Sequence, residues 1–285
     1  MDVRALATRA MTLLLWASAF AGIRAGLEAY SPGQLALLRF LAASAVLAVY
    51  ALATRMRLPS RRDLLPIAGA GILGIAAYHT ALNYGEISVT AGAASLLIAT
   101  TPIITSLLAI LLLGERMSGR GWLAIAISFA GSALIAVGEG KGFAFEPSAI
   151  LLLMAAALQA LFFVVQKPYL TSYSPLELTS YTIWAGTLVL LVFLPGLPQA
   201  VQAAPESATL AVIYLGVFPA AIANVTWAHT LSKAPASNAT AQLYLVPALA
   251  ILIAWGWLGE IPTALSLVGG GITLSGILLL NLQGK

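Results

Sequence analysis

The chain contains no cysteine, which excludes disulfides, thiolate metal sites and cysteine nucleophiles. Charge is nearly as scarce. Asp, Glu, Lys and Arg make up 8% of the 285 residues, against about a quarter in a soluble domain. So little charge cannot cover a water-facing surface. With 60% hydrophobic residues and a mean hydropathy of +0.96, the composition is that of a membrane protein whose first partner is the lipid bilayer. The formal charge of +4 comes from dispersed residues and forms no basic arm, so nothing points to nucleic acid. His-Glu-x-x-His, Gly-x-Ser-x-Gly and phosphate-binding glycine loops are missing from the apolar runs. That leaves no motif for a metal, a cofactor, ATP hydrolysis or an enzymatic reaction.

What the chain does have is ten apolar runs, at residues 10–29, 33–53, 64–84, 89–113, 119–138, 147–167, 176–195, 208–230, 236–258 and 263–282. Each is close to the twenty or so residues a helix needs to cross hydrocarbon. Turn residues separate them, as in Ser31-Pro32-Gly33 and Ser174-Pro175. Arg4 and Arg9 followed by an apolar stretch and Ala17-Ser18-Ala19 resemble a cleaved signal peptide. Cleavage there would delete a helix from the repeat described next, so the first run is read as a retained span. Counting basic residues over the short loops puts Arg4, Arg9, Arg55, Arg57, Arg61, Arg62, Arg116, Arg120, Lys167, Lys233 and Lys285 on one side and only Arg24 and Lys141 on the other. Both termini are therefore expected in the cytoplasm of a cell whose inner membrane holds the protein. Glu28, Glu86, Glu139, Glu146, Glu206 and Glu260 collect on the outer side.

The sequence also repeats itself. A shift of 143 residues carries Phe20 onto Phe163, Arg24 onto Lys167, Tyr30 onto Tyr173 and Ser31-Pro32 onto Ser174-Pro175. A shift of 145 carries Pro102 onto Pro247, Gly114-Glu115 onto Gly259-Glu260 and Gly131 onto Gly276. The expected fold is all-α: two five-helix units, 1–143 and 144–285. An odd number of spans per unit inverts the second relative to the first. Inverted repeats are an architecture of alternating-access transporters.

Trp16-Ala-Ser-Ala-Phe20, Arg39-Phe40, Ala81-Leu-x-Tyr84, Pro102, Gly114-Glu115 and Gly131 resemble the EamA-type branch of the drug/metabolite transporter superfamily, over nearly the whole chain. The chain departs from the family at Ala17, where glycine is common, and at Gln159-Ala-Leu-Phe-Phe163 in the second half. The resemblance implies a ten-helix carrier exporting small metabolites, similar to the YddG-type exporters of aromatic and related amino acids. Multidrug or nucleoside and sugar carriers, and a passive channel, are the alternatives.

Polar and aromatic residues at mid-depth must face protein or a water-filled cavity. Those expected to bind substrate are Trp16 and Phe20 with their counterparts Gln159 and Phe163, Tyr78 and His79 with Asn224 and Trp227, and Thr101 and Tyr244 beside Pro102 and Pro247. The prolines are read as bending their helices and framing the site. The alternative for each aromatic is plain packing, and for His79 a satisfied interhelical hydrogen bond. Arg39, one charge inside a span, has two readings: an anchor for a substrate carboxylate, or a structural or gating guanidinium bonded to helix-end carbonyls or Glu28. The repeat places neutral Thr182 opposite it, which favours the structural one. Glu115 and Glu260 are read as caps or loop anchors. Small residues at Ala126, Ala130, Ser266, Gly270, Gly271 and Ser275 suit close packing of helices five and ten or a homodimer through them. No Asp or Glu falls at mid-depth, so either His79 titrates or transport runs down the substrate gradient.

Overall fold

The structure, a computed structural model, describes residues 3–139, 147–259 and 264–281. Glu260, Lys141 and Glu146 lie outside the described residues, which contain no strand. They form ten helical rods: α1 (Val3–Leu27), α2 (Pro32–Thr54), α3 (Leu64–Gly85), α4 (91–113), α5 (Gly119–Glu139), α6 (Pro147–Gln166), α7 (Pro175–Leu190), α8 (Glu206–Lys233), α9 (Ala236–Leu258) and α10 (Ala264–Asn281). Over the described residues, eight rods, α1 to α4 and α6 to α9, are long and apolar enough to cross a bilayer. The protein is an all-α polytopic membrane protein. A short helix, Leu197–Ala203, occupies a connection the sequence predicts to be loop.

Local chemistry sets the helix ends. The Ser31 hydroxyl accepts from the Gln34 amide at 3.4 Å, and Ser174 accepts from Glu177 at 3.3 Å in a capping box; Pro32 and Pro175 open the first turns. Gly114 and Gly259 end α4 and α9 in the left-handed region, at φ 64° and 72°, where a side chain would be strained.

Four helices are broken internally. α3 widens to a π-helix over Ile72–Ala77 and α8 over Gly216–Ile222. α4 is interrupted at Ala99 and Thr100, and α9 tightens to a 3-10 turn over Gln242–Tyr244. The last two breaks sit just before Pro102 and Pro247, as expected for a residue that lacks an amide proton. The π segments have no counterpart in the sequence reading.

α1 packs on α8 and α9, and hydroxyl pairs at 2.7 Å stitch it and the turn that follows it to α8: Thr12 to Thr226, Ser18 to Tyr214 and, from the turn, Tyr30 to Thr209. Each such bond adds about 0.6 kcal/mol in a bilayer. The first span is thus an integral part of the bundle. α5 packs chiefly on α10. There Ser128 Oγ donates to the Thr273 carbonyl at 3.4 Å and Thr273 Oγ1 to the Ser128 carbonyl at 3.5 Å. Gly131 lies against Gly269 and Thr273, and Gly276 against Ser128 and Ala124, so the two helices run antiparallel. Ala126, Ala130, Gly271 and Ser275 face outward instead. The side chain of Ser266 lies outside the described residues.

The contacting pair Ser128 and Thr273 is 145 residues apart. α2 and α7 meet in the same way: Ser44 Oγ is 2.9 Å from Thr187 Oγ1, 143 residues on. Gly33 lies against Phe193 and Trp184 Nε1 donates to the Ser44 carbonyl at 3.3 Å, so this pair too is antiparallel.

One end of the bundle gathers the basic loops. The Ser60 amide donates to Tyr173 Oη at 3.0 Å, and Tyr173 donates to Asp63 at 2.7 Å. Hydrogen bonds from Ser60 and then Tyr173 hold the Asp63 carboxyl below its usual range. That contact is complete at neutral pH and is lost as pH falls through the lowered value. The opposite end brings Asn83 Nδ2 to the Pro32 carbonyl at 3.0 Å and Ser88 to Ser148. We refer to these as the Lys167 end and the Glu86 end.

A methyl group at Gly131 would meet the Thr273 amide at 2.5 Å and the Gly269 carbonyl at 2.6 Å. Gly131→Ala is expected to cost about 1–3 kcal/mol, read as a lower melting temperature in detergent. An unchanged melting temperature would remove the α5–α10 contact as a stability determinant.

Candidate functional site

The broken segments surround a buried cavity. α1 contributes Trp16, Phe20 and Ile23 to its wall; α2 contributes Arg39; α3, Gly74, Tyr78 and His79; α4, Ser95 and Ile98; α6, Gln159, Phe162 and Phe163; α8, Asn224; α9, Leu243 and Val246. The space is narrow, about 50 Å³, room for a few water molecules. A larger occupant needs the walls to part.

In a bilayer the carbonyls of an irregular segment have no water to turn to. Polar side chains lining the cavity bond carbonyls in both π segments. His79 Nδ1 lies 3.0 Å from the Ile75 carbonyl, so in the neutral ring Nδ1 carries the proton. Asn224 Nδ2 donates to the Ala220 carbonyl at 2.8 Å, and Trp16 Nε1 donates to the Pro219 carbonyl at 3.2 Å. Ile75 and Ala220, like His79 and Asn224, are related by the shift of 145. The bond of His79 is within its own helix, not across helices. Pro102 and Pro247 likewise give no proton to the carbonyls of Ile98 and Leu243 four residues earlier, and both residues line the cavity.

Seven of the ten residues expected from the sequence line this space: Trp16, Phe20, Tyr78, His79, Gln159, Phe163 and Asn224. The other three stand behind the wall. Trp227 supports it, with ring centres 4.6 Å from Phe163 and 5.2 Å from Trp16, while Trp16 stacks on Phe163 at 6.0 Å and 7°. Thr101 Oγ1 donates to Gln159 Oε1 at 3.2 Å. Tyr244 is fully buried among Ala99, Ile125 and Met117. The sequence reading missed Gly74, whose bare Cα lets the Phe162 ring close over α3. A glycine in the middle of an apolar run was the available signal. It also placed Glu86 in a loop, whereas the structure buries Glu86 completely at the end of α3.

Compared with known proteins, the sequence matches the EamA-like transporter family twice, over residues 6–137 and 147–282. The chain belongs to the EamA-like transporter family. It is therefore a transporter and not an enzyme. An uncharacterized transporter, YdfC, of Bacillus subtilis (strain 168) is 45% identical over 276 residues, covering 96% of this chain and 90% of that protein. A protein of Streptantibioticus cattleyicolor named a probable terminal-alkyne amino-acid exporter is 42% identical over 271 residues, 95% of this chain and 91% of that one. The uncharacterized inner membrane transporter YedA of Escherichia coli (strain K12) is 27% identical, covering 94% and 88%. A crystal structure at 20% identity aligns with a TM-score of 0.78 over 99% of this chain and 98% of its own, which shows a shared fold.

The two ends of this EamA-like transporter differ. At the Lys167 end the Glu115 carboxylate accepts from the amides of Ala236 at 2.7 Å and Ser237 at 3.2 Å and from the Ser237 hydroxyl at 2.9 Å, capping α9. Lys167 Nζ lies 3.9 Å from Glu115 and donates to the carbonyls of Leu231 and Ala234 at the end of α8. α4, α6, α8 and α9 are thereby tied together. At the Glu86 end a recess of about 570 Å³ opens between Arg24, Leu27, Tyr30, Ile87 and Leu258, and Arg24 Nη1 donates to the Glu86 carbonyl at 3.4 Å. His229 is exposed, on the outside of the bundle rather than in the site.

Losing one such side-chain hydrogen bond inside the bundle costs about 0.5–1.5 kcal/mol. His79→Ala and Asn224→Ala are each expected to lower stability by that amount in detergent thermal unfolding. Wild-type stability in both would contradict a stabilising role for these bonds to the π segments.

Proposed function

We propose that this transporter is a secondary carrier exporting small metabolites, foremost amino acids with apolar or aromatic side chains, across the inner membrane by alternating access. The observation that carries the reading is the cavity: it is walled by helices of both halves and aromatic at its centre, in a bundle tied together at one end and recessed at the other. Trp16 and Phe163, held from behind by Trp227, offer flat apolar faces to a side chain, and Gln159, Tyr78 and Asn224 offer hydrogen bonds to a polar head. The name of the 42% identical relative supports an amino acid as cargo.

The two halves are inverted repeats. The antiparallel contacts of Ser44 with Thr187 and of Ser128 with Thr273 support this, because equivalent residues meet where two copies are related by a two-fold axis. A second state follows by exchanging the roles of the halves. The basic loops put the Lys167 end and both termini in the cytoplasm, so the tie through Glu115 and Lys167 closes the inner side and the recess at Arg24 faces out. Among the described residues no Asp or Glu lies at mid-depth, and transport runs down the substrate gradient or is weakly coupled.

Proteoliposomes preloaded with phenylalanine are expected to show saturable counterflow, and Trp16→Ala to lower it several-fold while the protein still inserts. Unsaturable conductance would identify a pore instead. The absence of native cysteine makes sidedness directly measurable. Cysteines at Arg61 and Lys233 are expected to label from the cytoplasm, and cysteines at Glu28 and Glu206 from outside. Labelling of Arg61→Cys and Lys233→Cys from opposite sides would sink the inverted arrangement.

A further inference from the structure

The carrier reading leaves the charged residue of the cavity unused. Arg39 is only 2% exposed and lines the cavity from α2, two turns in from the Glu86 end. It does not snorkel to an interface. Its Nε and Nη1 find no hydrogen-bond partner among the described residues, and Glu28, the partner considered from the sequence, is exposed. What surrounds the guanidinium is the Phe40 ring, with Cζ 5.5 Å from its centre, and, within electrostatic reach, the Tyr78 hydroxyl, the buried Glu86 and His79. A structural arginine at this depth bonds carbonyls or a carboxylate. Two idle donors on a buried guanidinium are a strongly unfavourable arrangement that an entering anion relieves.

We propose that Arg39 holds the carboxylate of a zwitterionic amino acid, with the substrate side chain directed toward Trp16 and Phe163; this rests on the amino-acid reading above. The planar fork of a guanidinium matches a carboxylate with two parallel hydrogen bonds. The tilt toward a zwitterion comes from Glu86, whose negative charge beside Arg39 disfavours a bare anion and favours a ligand bearing an ammonium as well. The cavity is then graded, charged toward the Glu86 end and aromatic at the centre. Arg39 would thus be a specificity-determining residue, separating amino acids from amines of the same shape.

The test is counterflow of phenylalanine, phenylalaninol (which lacks the carboxylate) and 3-phenylpropionate (which lacks the ammonium) in proteoliposomes of wild type, Arg39→Lys and Arg39→Gln. Wild type is expected to prefer phenylalanine over phenylalaninol by about tenfold or more. Arg39→Gln should lose that preference and Arg39→Lys keep part of it. Equal flux of phenylalanine and phenylalaninol through wild type, or an intact preference in Arg39→Gln, overturns the assignment while leaving the carrier reading in place. Absence of counterflow for every amino acid overturns both. Should Arg39→Gln fail to fold, thermal stabilisation of wild type decides the matter: a shift with phenylalanine that phenylalaninol does not reproduce supports the assignment, and equal shifts overturn it.

Discussion

Hydrocarbon offers backbone groups no water, and this constraint organises the molecule. A helix crossing the bilayer can break only where something else takes up the amide or carbonyl it releases. Here the breaks occur in four helices: the π segments of α3 and α8, and the proline-linked interruptions of α4 and α9. His79, Asn224 and Trp16 satisfy the carbonyls of the π segments, and all three line the cavity. The groups that stabilise the irregular backbone are therefore the same groups that shape the site. A residue can bond irregular backbone and line a cavity at once, as these three do.

The aromatic residues work differently. Trp16, Phe163 and Trp227 form one cluster, but only the first two face the open space. Trp227 fixes their planes from behind. Thr101 does the same for Gln159 through a single hydrogen bond. Support for the wall thus lies in a layer behind the open space.

Much of this was legible in the sequence because membrane spans have few ways to be built. Length and hydropathy located the rods to within a few residues, and the paired Ser-Pro and Gly-Glu signals marked helix ends that the structure caps as expected at Ser31, Ser174, Gly114 and Gly259. Seven of the ten expected site residues line the cavity, because polar or aromatic groups at mid-depth have few other places to go. What was not legible depends on angular position and on irregular winding. Tyr244 and Trp227 lie at the right depth but point away from the space. The π segments change the register of α3 and α8 by an amount no periodicity reveals. Glu86 read as a loop residue because a charge at the end of an apolar run ordinarily is one; it is buried instead, where the Arg39 side chain supplies a charge of opposite sign nearby.

The contacts between equivalent residues carry one more consequence. Under the inverted arrangement, Ser44 with Thr187 and Ser128 with Thr273 sit on the axis that interchanges the halves, so each pair keeps its own company in either orientation of the carrier. Substitutions there change how firmly the bundle holds together without tilting it inward or outward. If the halves exchange roles as proposed, the tilt is set where they have diverged, at Trp16 against Gln159, Arg24 against Lys167 and Arg39 against Thr182. Those mismatches would be the asymmetric weights on an otherwise even balance and would give the proposed carrier a resting posture.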